Sequence, residues 1–319
     1  MTVSTKHVWR AAIPTLVIVS IFAALACIAI PVLAYLIFSR EHLTWLAIVL
    51  LILAALAVLY AWRFGWHPCI RAEENVLRIE NPFRHHEFAW DDITLIAPGE
   101  NGLLIGSEDQ LAEAWCVQKS NSAIMRGKIT RADRIASTLI DILEQHNPPI
   151  TDDQTGLRIR RARPDEAALL TRMERAASEA SLAHIFPPTK FPFPTAAIAK
   201  RWRRLLHDRF ARVHVLELFD APVGYVAFNT DTVLQLGVVP RHRRRGYGSA
   251  LLEFASLEIF DSGVTEAQLW VLAENHVGRA FYRTHDWHET DDRRNCAFPP
   301  RPPELRMVRR NPAAPRRSR

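Results

Sequence analysis

Cysteine is scarce in this 319-residue chain, and its four copies (Cys27, Cys69, Cys116, Cys296) stand at no spacing that serves a metal or a redox pair. His276, His285 and His288 fall close together, but no complete ligand set accompanies them, so no metal is expected. Glycine is thin too, at 12 residues. Where it clusters in a loop it completes neither the Gly-x-x-x-x-Gly-Lys-Ser/Thr of a P-loop nor the third glycine of a dinucleotide fingerprint. A strong charge of one sign is also missing. Forty basic residues against 34 acidic ones give +6, a balance too modest to argue for a nucleic-acid partner.

What is present, first, is hydrophobic length. Residues 11–38 and 43–62 carry no formal charge, and each run is long enough to cross a bilayer core. The near-zero mean hydropathy of the whole chain hides them. Pro14 and Pro31 should bend or fray the first run, which bilayer helices tolerate. The joint Ser39-Arg40-Glu41-His42 has no net charge, whereas Lys6 and Arg10 precede the first run and Arg63 and Arg71 follow the second. That bias puts both outer ends in the cytoplasm of a multi-pass cell-membrane protein, with the N-terminus and everything downstream on that side. Trp9, Tyr60, Trp62 and Trp66 would mark that interface, and Tyr35 and Trp45 the other. A cleaved signal peptide is the competing reading, but the apolar stretch is too long for one and a second follows directly. Residues 1–65 are therefore read as a two-span transmembrane hairpin.

Residues 66–146 read as a separate module. Residues 75–80 alternate as a strand, Asn81-Pro82-Phe83-Arg84 turns it, and residues 85–90 return. Short strands follow near 91–96, 102–105 and 114–117. Residues 130–144 form one amphipathic helix with Ala132, Ile135, Leu139, Ile142 and Leu143 on its apolar stripe. This order, with Trp90-Asp91-Asp92-Ile93, resembles the bacterial PH-like domains found behind membrane hairpins. The resemblance implies a PH-like β-barrel with a closing helix. Arg78, Arg84, His85 and His86 suit either anionic headgroups or plain solvent, so a lipid, a protein or no partner at all stays open. Residues 147–156, rich in Pro and polar side chains, are a linker, and residues 311–319 are a basic tail.

The chemistry lies in residues 157–310. An apolar strand over 234–239 runs into VVPRHRRRGYGS at 238–249, and a helix-competent run follows at once. A strand that ends in a Gly-containing turn and opens a helix presents unpaired backbone N–H groups at the helix's positive end, which is a pyrophosphate site. Arg243, Arg244 and Arg245 add charge there. A second strand, 268–272, leads through Ala273-Glu274-Asn275 to a helix with Val277, Ala280 and Phe281 at helical spacing and Asn275 as its N-cap.

Arg243-x-x-Gly246-x-Gly248 after a strand ending Val-x-Pro is similar to motif A of the GNAT acetyltransferases, and Asn275 with the Phe281-Tyr282 pair resembles their motif B. The resemblance implies an α/β domain with a mixed, mostly antiparallel sheet, in an α+β multidomain chain. It places acetyl-CoA on Val238, Val239, Arg243, Arg244, Arg245, Gly246, Tyr247, Gly248, Ser249 and Asn275. It makes the Val238 amide the oxyanion donor and Tyr282 the general acid for the departing thiolate. An amine would then attack the thioester directly, with both substrates bound and no covalent enzyme intermediate. The family's strand carboxylate is absent from residues 233–239, leaving Asp231, Glu217, Glu274 and His285 as candidate bases. Asp286 stands where the family usually has Gly, and Asp tolerates the left-handed conformation better than most residues. The proline- and aromatic-rich segment 185–194 falls where the family shapes its acceptor site. The acceptor and the oligomeric state are not set by the sequence. The alternative reading is an acetyl-CoA sensor without turnover, or a membrane interaction protein working through the PH-like module.

Overall fold

The computed structural model describes residues 7–38, 44–99, 102–107, 109–117, 129–148, 150–152 and 155–314. Lys6, the joint at residues 39–42, the side chain of Trp45, parts of the linker and the last five residues of the tail lie outside the described set. The chain divides into two compact units, Met1–Asn147 and Pro148–Arg319.

In the first unit, β1 (His7–Arg10) precedes two apolar helices, α1 (Ile13–Phe38) and α2 (Thr44–Ala61), which lie against each other. Within them Thr15–Leu33 and Ile48–Trp66 are long and apolar enough to cross a membrane. Their large side chains face outward, as at Phe22 (68% exposed) and Ile28 (65%), so these helices are not the core of the unit. A π-helical turn, Trp62–Trp66, brings Gly65 onto α1, where a Cβ would crowd Val19. Then comes β2 (Cys69–Ala72), which pairs antiparallel with β1 from His7↔Ala72 to Arg10↔Cys69. The two helices are thus an insertion between neighbouring strands, and residues 7–10, read from the sequence as part of the hairpin unit 1–65, belong to a sheet.

Strands β3 (Val76–Glu80) and β4 (His85–Ala89) complete a four-stranded sheet, and β5 (Leu95–Pro98), β6 (Leu103–Gly106) and β7 (Leu111–Ala114) make a three-stranded one. Among the described residues no sheet closes on itself, so the expected barrel is not shown. The two sheets are separated in sequence by the 3-10 turn Trp90–Asp92, where the buried Trp90 donates its indole N–H to Glu73 O at 2.9 Å. Helix α3 (Arg131–His146) starts on a Thr130/Asp133 capping box and buries Ala132, Ile135, Ala136, Leu139 and Ile140 in the core with Leu77, Ile79, Phe88 and Trp90. Ile142 and Leu143 pack only at its margin.

The second unit is built on one eight-stranded sheet. In chain order its strands are β8 (Ile150–Asp152), β9 (Leu157–Arg161), β10 (Arg212–Leu218), β11 (Ala221–Phe228), β12 (Thr232–Val238), β13 (Glu266–Leu272), β14 (His288–Asn295) and β15 (Pro303–Arg310). Their order in space is 14-15-13-12-11-10-9-8, and only β12 and β13 run parallel. Strand β8 comes from the segment read as linker and pairs with β9. Helices α4 (Ala167–Leu182) and α5 (Thr195–His207) bury Leu170, Met173, Ile198 and Trp202 in one core cluster with Val215 and Tyr225. Helix α6 (Tyr247–Asp261) buries Leu251, Leu252, Ala255 and Ile259 in a separate cluster with Leu216 and Val226. Each fully buried Leu or Ile contributes about 1.5–3 kcal/mol. The short α7 (His276–Arg283) follows β13.

Candidate active site

The parallel strands create the site. β12 and β13 pair only at Thr232↔Gln268 and Val233↔Leu269. Past those residues no ladder joins them, and a gap opens between their carboxyl ends, the place where open α/β sheets accept ligands. Strand β12 leads through a 3-10 turn (Pro240–His242) into α6, and β13 leads through Asn275 into α7. The start of α6 and the end of α7 meet. A Cβ on Gly248 would lie 3.5 Å from the Phe281 ring and 3.8 Å from Val238.

Among the described residues, the backbone amides of Arg244, Arg245, Gly246, Tyr247, Gly248 and Ser249 have no acceptor; the first loop amide drawn back into the helix is Ala250 N, to Gly246 O at 3.0 Å. Gly246 caps the helix at φ 83° and Arg244 sits at φ 60°. This left-handed conformation turns successive N–H groups toward one point, which favours a polyanion. A Cβ on Gly246 would meet nothing within 4 Å, so glycine is required there by its backbone angle and not by space. Arg244 and Arg245 are exposed, and no described acid pairs with them.

Other expected contacts resolve differently. The Val239 amide bonds to Val223 O on β11 at 2.9 Å. Because alternate residues of a strand direct their polar groups to opposite sides, Val238 N–H faces the gap. Arg243 points inward: its Nε donates to Val238 O (3.2 Å) and its Nη2 to Ala177 O on α4 (2.8 Å). It is a strut that holds the loop, and burial lowers its pKa. Asn275 Oδ1 accepts from Gly278 N at 3.0 Å, which leaves its amide NH2 for the gap. Tyr282 packs at 5.3 Å from Phe281 and 6.4 Å from Trp287. Burial pushes its phenol up to about 12, so the hydroxyl stays protonated, and no described group bonds it.

Residues 179–287 match the model of the acetyltransferase (GNAT) family. Over those residues the chain is similar to the GNAT acetyltransferases. Among solved structures the chain resembles the PaiA N-acetyltransferase from Thermoplasma acidophilum in complex with coenzyme A, at 16% identity and TM-score 0.40, over 49% of this chain and 99% of that one. It also resembles the ribosomal-protein-S18-alanine N-acetyltransferase from Escherichia coli, at 19% identity and TM-score 0.40, over 51% and 99%. No curated protein matches the chain.

In this unit the candidate bases separate clearly. Asp231 immediately precedes β12, seven residues and about 23 Å from Val238, and accepts from Thr232 and Gln268. Glu217 lies nearly level with Val238, because Leu216 pairs with Gly224 and Gly224 with Val238, but it is two strands away and bound by Arg160 at 2.7 Å. Glu274 is exposed, and His285 Nδ1 contacts Phe281 O at 2.8 Å. Asp286 takes the left-handed conformation that the missing glycine would have supplied, at φ 63°. Sequence reasoning missed Tyr225, which pairs with Gly237 and whose hydroxyl occupies the place of a Gly237 side chain. It also missed the Glu174–Arg201–Trp202 cluster behind Tyr225. The one available signal was Gly237 itself, a glycine inside a strand.

Proposed function

We propose that the chain is a membrane-tethered acetyltransferase that moves the acetyl group of acetyl-CoA to an amine by direct attack within a ternary complex. The observation that carries this reading is the row of six acceptor-free amides at the start of α6, beside the β12–β13 gap that Tyr282 adjoins. The amides suit the pyrophosphate, and Val238 N–H suits the oxyanion formed when the amine adds to the thioester carbonyl. Tyr282, neutral at working pH, gives its proton to the departing thiolate. Purified full-length protein should bind acetyl-CoA and release CoA when amines are supplied. Tyr282→Phe should lower turnover about 100-fold while affinity for acetyl-CoA holds. Binding without turnover in the unaltered protein would favour the sensor reading, which the engagement of Glu217 by Arg160 and of Asp231 by Thr232 and Gln268 supports.

Tethering is supported by the apolar helices and by the pairing of β1 with β2, which holds both outer ends of the hairpin together. Arg10, Arg63 and Arg71 at those ends favour a cytoplasmic location for both units. Single cysteines introduced at residues 40 and 74 should then label from opposite sides of the membrane; labelling from one side refutes the hairpin. The strand order ending in α3 supports a PH-like module with open sheets.

A further inference from the structure

The acceptor side of the site is aromatic, and the strand carboxylates nearest to it are engaged: Glu217 by Arg160, and Asp231 by Thr232 and Gln268. Trp202 donates its indole N–H to Glu174 Oε2 at 2.7 Å, and Arg201 pairs with the other oxygen of Glu174. The Trp202 ring stands edge-on to Tyr225, with centroids 5.4 Å apart, and Arg201 lies 6.0 Å from the Phe298 ring. Phe193, from the proline-rich segment, and Phe298 pack onto the same cluster. Tyr225 is 2% exposed, yet among the described residues nothing bonds its hydroxyl. That hydroxyl covers the backbone of Gly237, one residue before the oxyanion donor, and any Cβ at 237 would overlap it. Burial above all holds the phenol neutral, and Glu174, Arg201, Tyr282 and Arg243 lie near enough to act on it. No described acid pairs with Arg243, so an uncompensated cation adjoins this phenol.

We propose that the acceptor is a weakly basic amine that arrives neutral, carried on an aromatic or apolar body, and that Tyr225 Oη contacts and orients its nitrogen. The proposal rests on the acetyltransferase reading. A site whose fixed cation, Arg243, adjoins the phenol repels an ammonium ion, whereas a neutral phenol oxygen accepts from an amine N–H and leaves the lone pair free to attack. The nitrogen lone pair forms the N–C bond and the C–S bond breaks. The sulfur takes the Tyr282 proton, the nitrogen releases one proton to water, and Tyr282 regains one from water. One amine and one thioester give one amide and one thiol. The partly buried rings of Phe193 and Phe298, packed on the core that holds Trp202, would hold the body of the acceptor.

The test is CoA release by the full chain in detergent with an aniline series, an Nα-blocked lysine and spermidine as acceptors. The anilines should be preferred over both ammonium-bearing acceptors by about tenfold or more, and their rate should level off above each aniline's own pKa. Tyr225→Phe should lower kcat/KM for aniline about fivefold or more, the worth of one hydrogen bond, with acetyl-CoA affinity and melting temperature held. Gly237→Ala should cause a similar loss with a lower melting temperature, because its Cβ would meet the ring of Tyr225 as well as the hydroxyl. Preference for spermidine or lysine, or a Tyr225→Phe variant with unchanged kcat/KM, overturns the acceptor proposal and leaves the transferase standing. No turnover with any acceptor together with no acetyl-CoA binding overturns both.

Discussion

Three consecutive arginines, Arg243 to Arg245, look equivalent in the sequence and should behave very differently when replaced. Arg243→Ala removes two hydrogen bonds from a charged donor, to Val238 O and Ala177 O. Each is worth about 1.5–3 kcal/mol. Ala177 O also accepts from Ser181 Oγ at 2.8 Å, which cushions half of the loss. The net cost is then about 2–4 kcal/mol. For a unit of this size that lowers the melting temperature by roughly 5–10 °C. Arg243→Lys should recover little, because one ammonium cannot reach two carbonyls on different elements. Arg244→Ala and Arg245→Ala remove exposed side chains without ion pairs, so melting should move by about 1 °C or less. Their effect should appear instead in acetyl-CoA affinity, as a loss of about two- to fivefold that fades as salt is raised. The assay is thermal unfolding of each variant in detergent, alongside acetyl-CoA titration at low and high salt. An Arg243→Ala variant that melts with the unaltered protein, or an Arg244→Ala variant that melts with Arg243→Ala, would refute the division between strut and ligand charge.

Gly246→Ala should cost about 1–2 kcal/mol from the left-handed backbone alone, since a Cβ there meets nothing; Gly246→Asn should cost less, as denaturant midpoints will show. His214 has its pKa lowered from 6.5 to about 3 by burial and by Arg161 and Arg212, so between those values the unfolded chain holds the extra proton. Its contribution is therefore complete above pH 6.5 and falls as pH drops toward 3. His214→Phe, between Phe228 and Phe254, should flatten that acid limb in stability measurements at pH 7 and pH 4.5, and an unchanged slope would assign it elsewhere. Arg160 binds Glu166 at 2.6 Å and Glu217 at 2.7 Å while only 4% exposed. Arg160→Ala takes an ion-pair partner from the buried Glu217 and leaves Glu166 to Arg163; it should cost about 3–5 kcal/mol, and adding Glu217→Gln should recover part of it by equilibrium unfolding.

Periodicity and turn chemistry made the acetyltransferase half legible. The strand–turn–helix at 238–249 and the capped helix after Asn275 are both where local pattern places them, because each is built from neighbours in sequence. What local pattern could not show is long-range pairing. β8 looks like linker until β9 lies beside it, and β14, with the sequence HETDDRRN, has no apolar alternation because it is an edge strand bound by its neighbour's backbone. The barrel expectation ran into a related limit: short alternating strands specify sheet partners but not closure, and among the described residues the two sheets stay open. At the site, residue identity pointed to an anion but could not show the side-chain partners of Arg243, which are 5 and 66 residues away.

The pairing of β1 with β2 bears on how this chain is made. A ribosome delivers β1 first and its partner only after some sixty residues of hydrophobic helix and turn, so the strand must wait, unpaired, until the intervening segment has returned to the same side. On the tethered reading, a chain that inserts only one helix, or inserts the pair askew, leaves β2 as a raw edge and the module below it incomplete. Completion of the water-exposed sheet would then act as a checkpoint on insertion, with misinserted chains marked for proteolysis by an open strand.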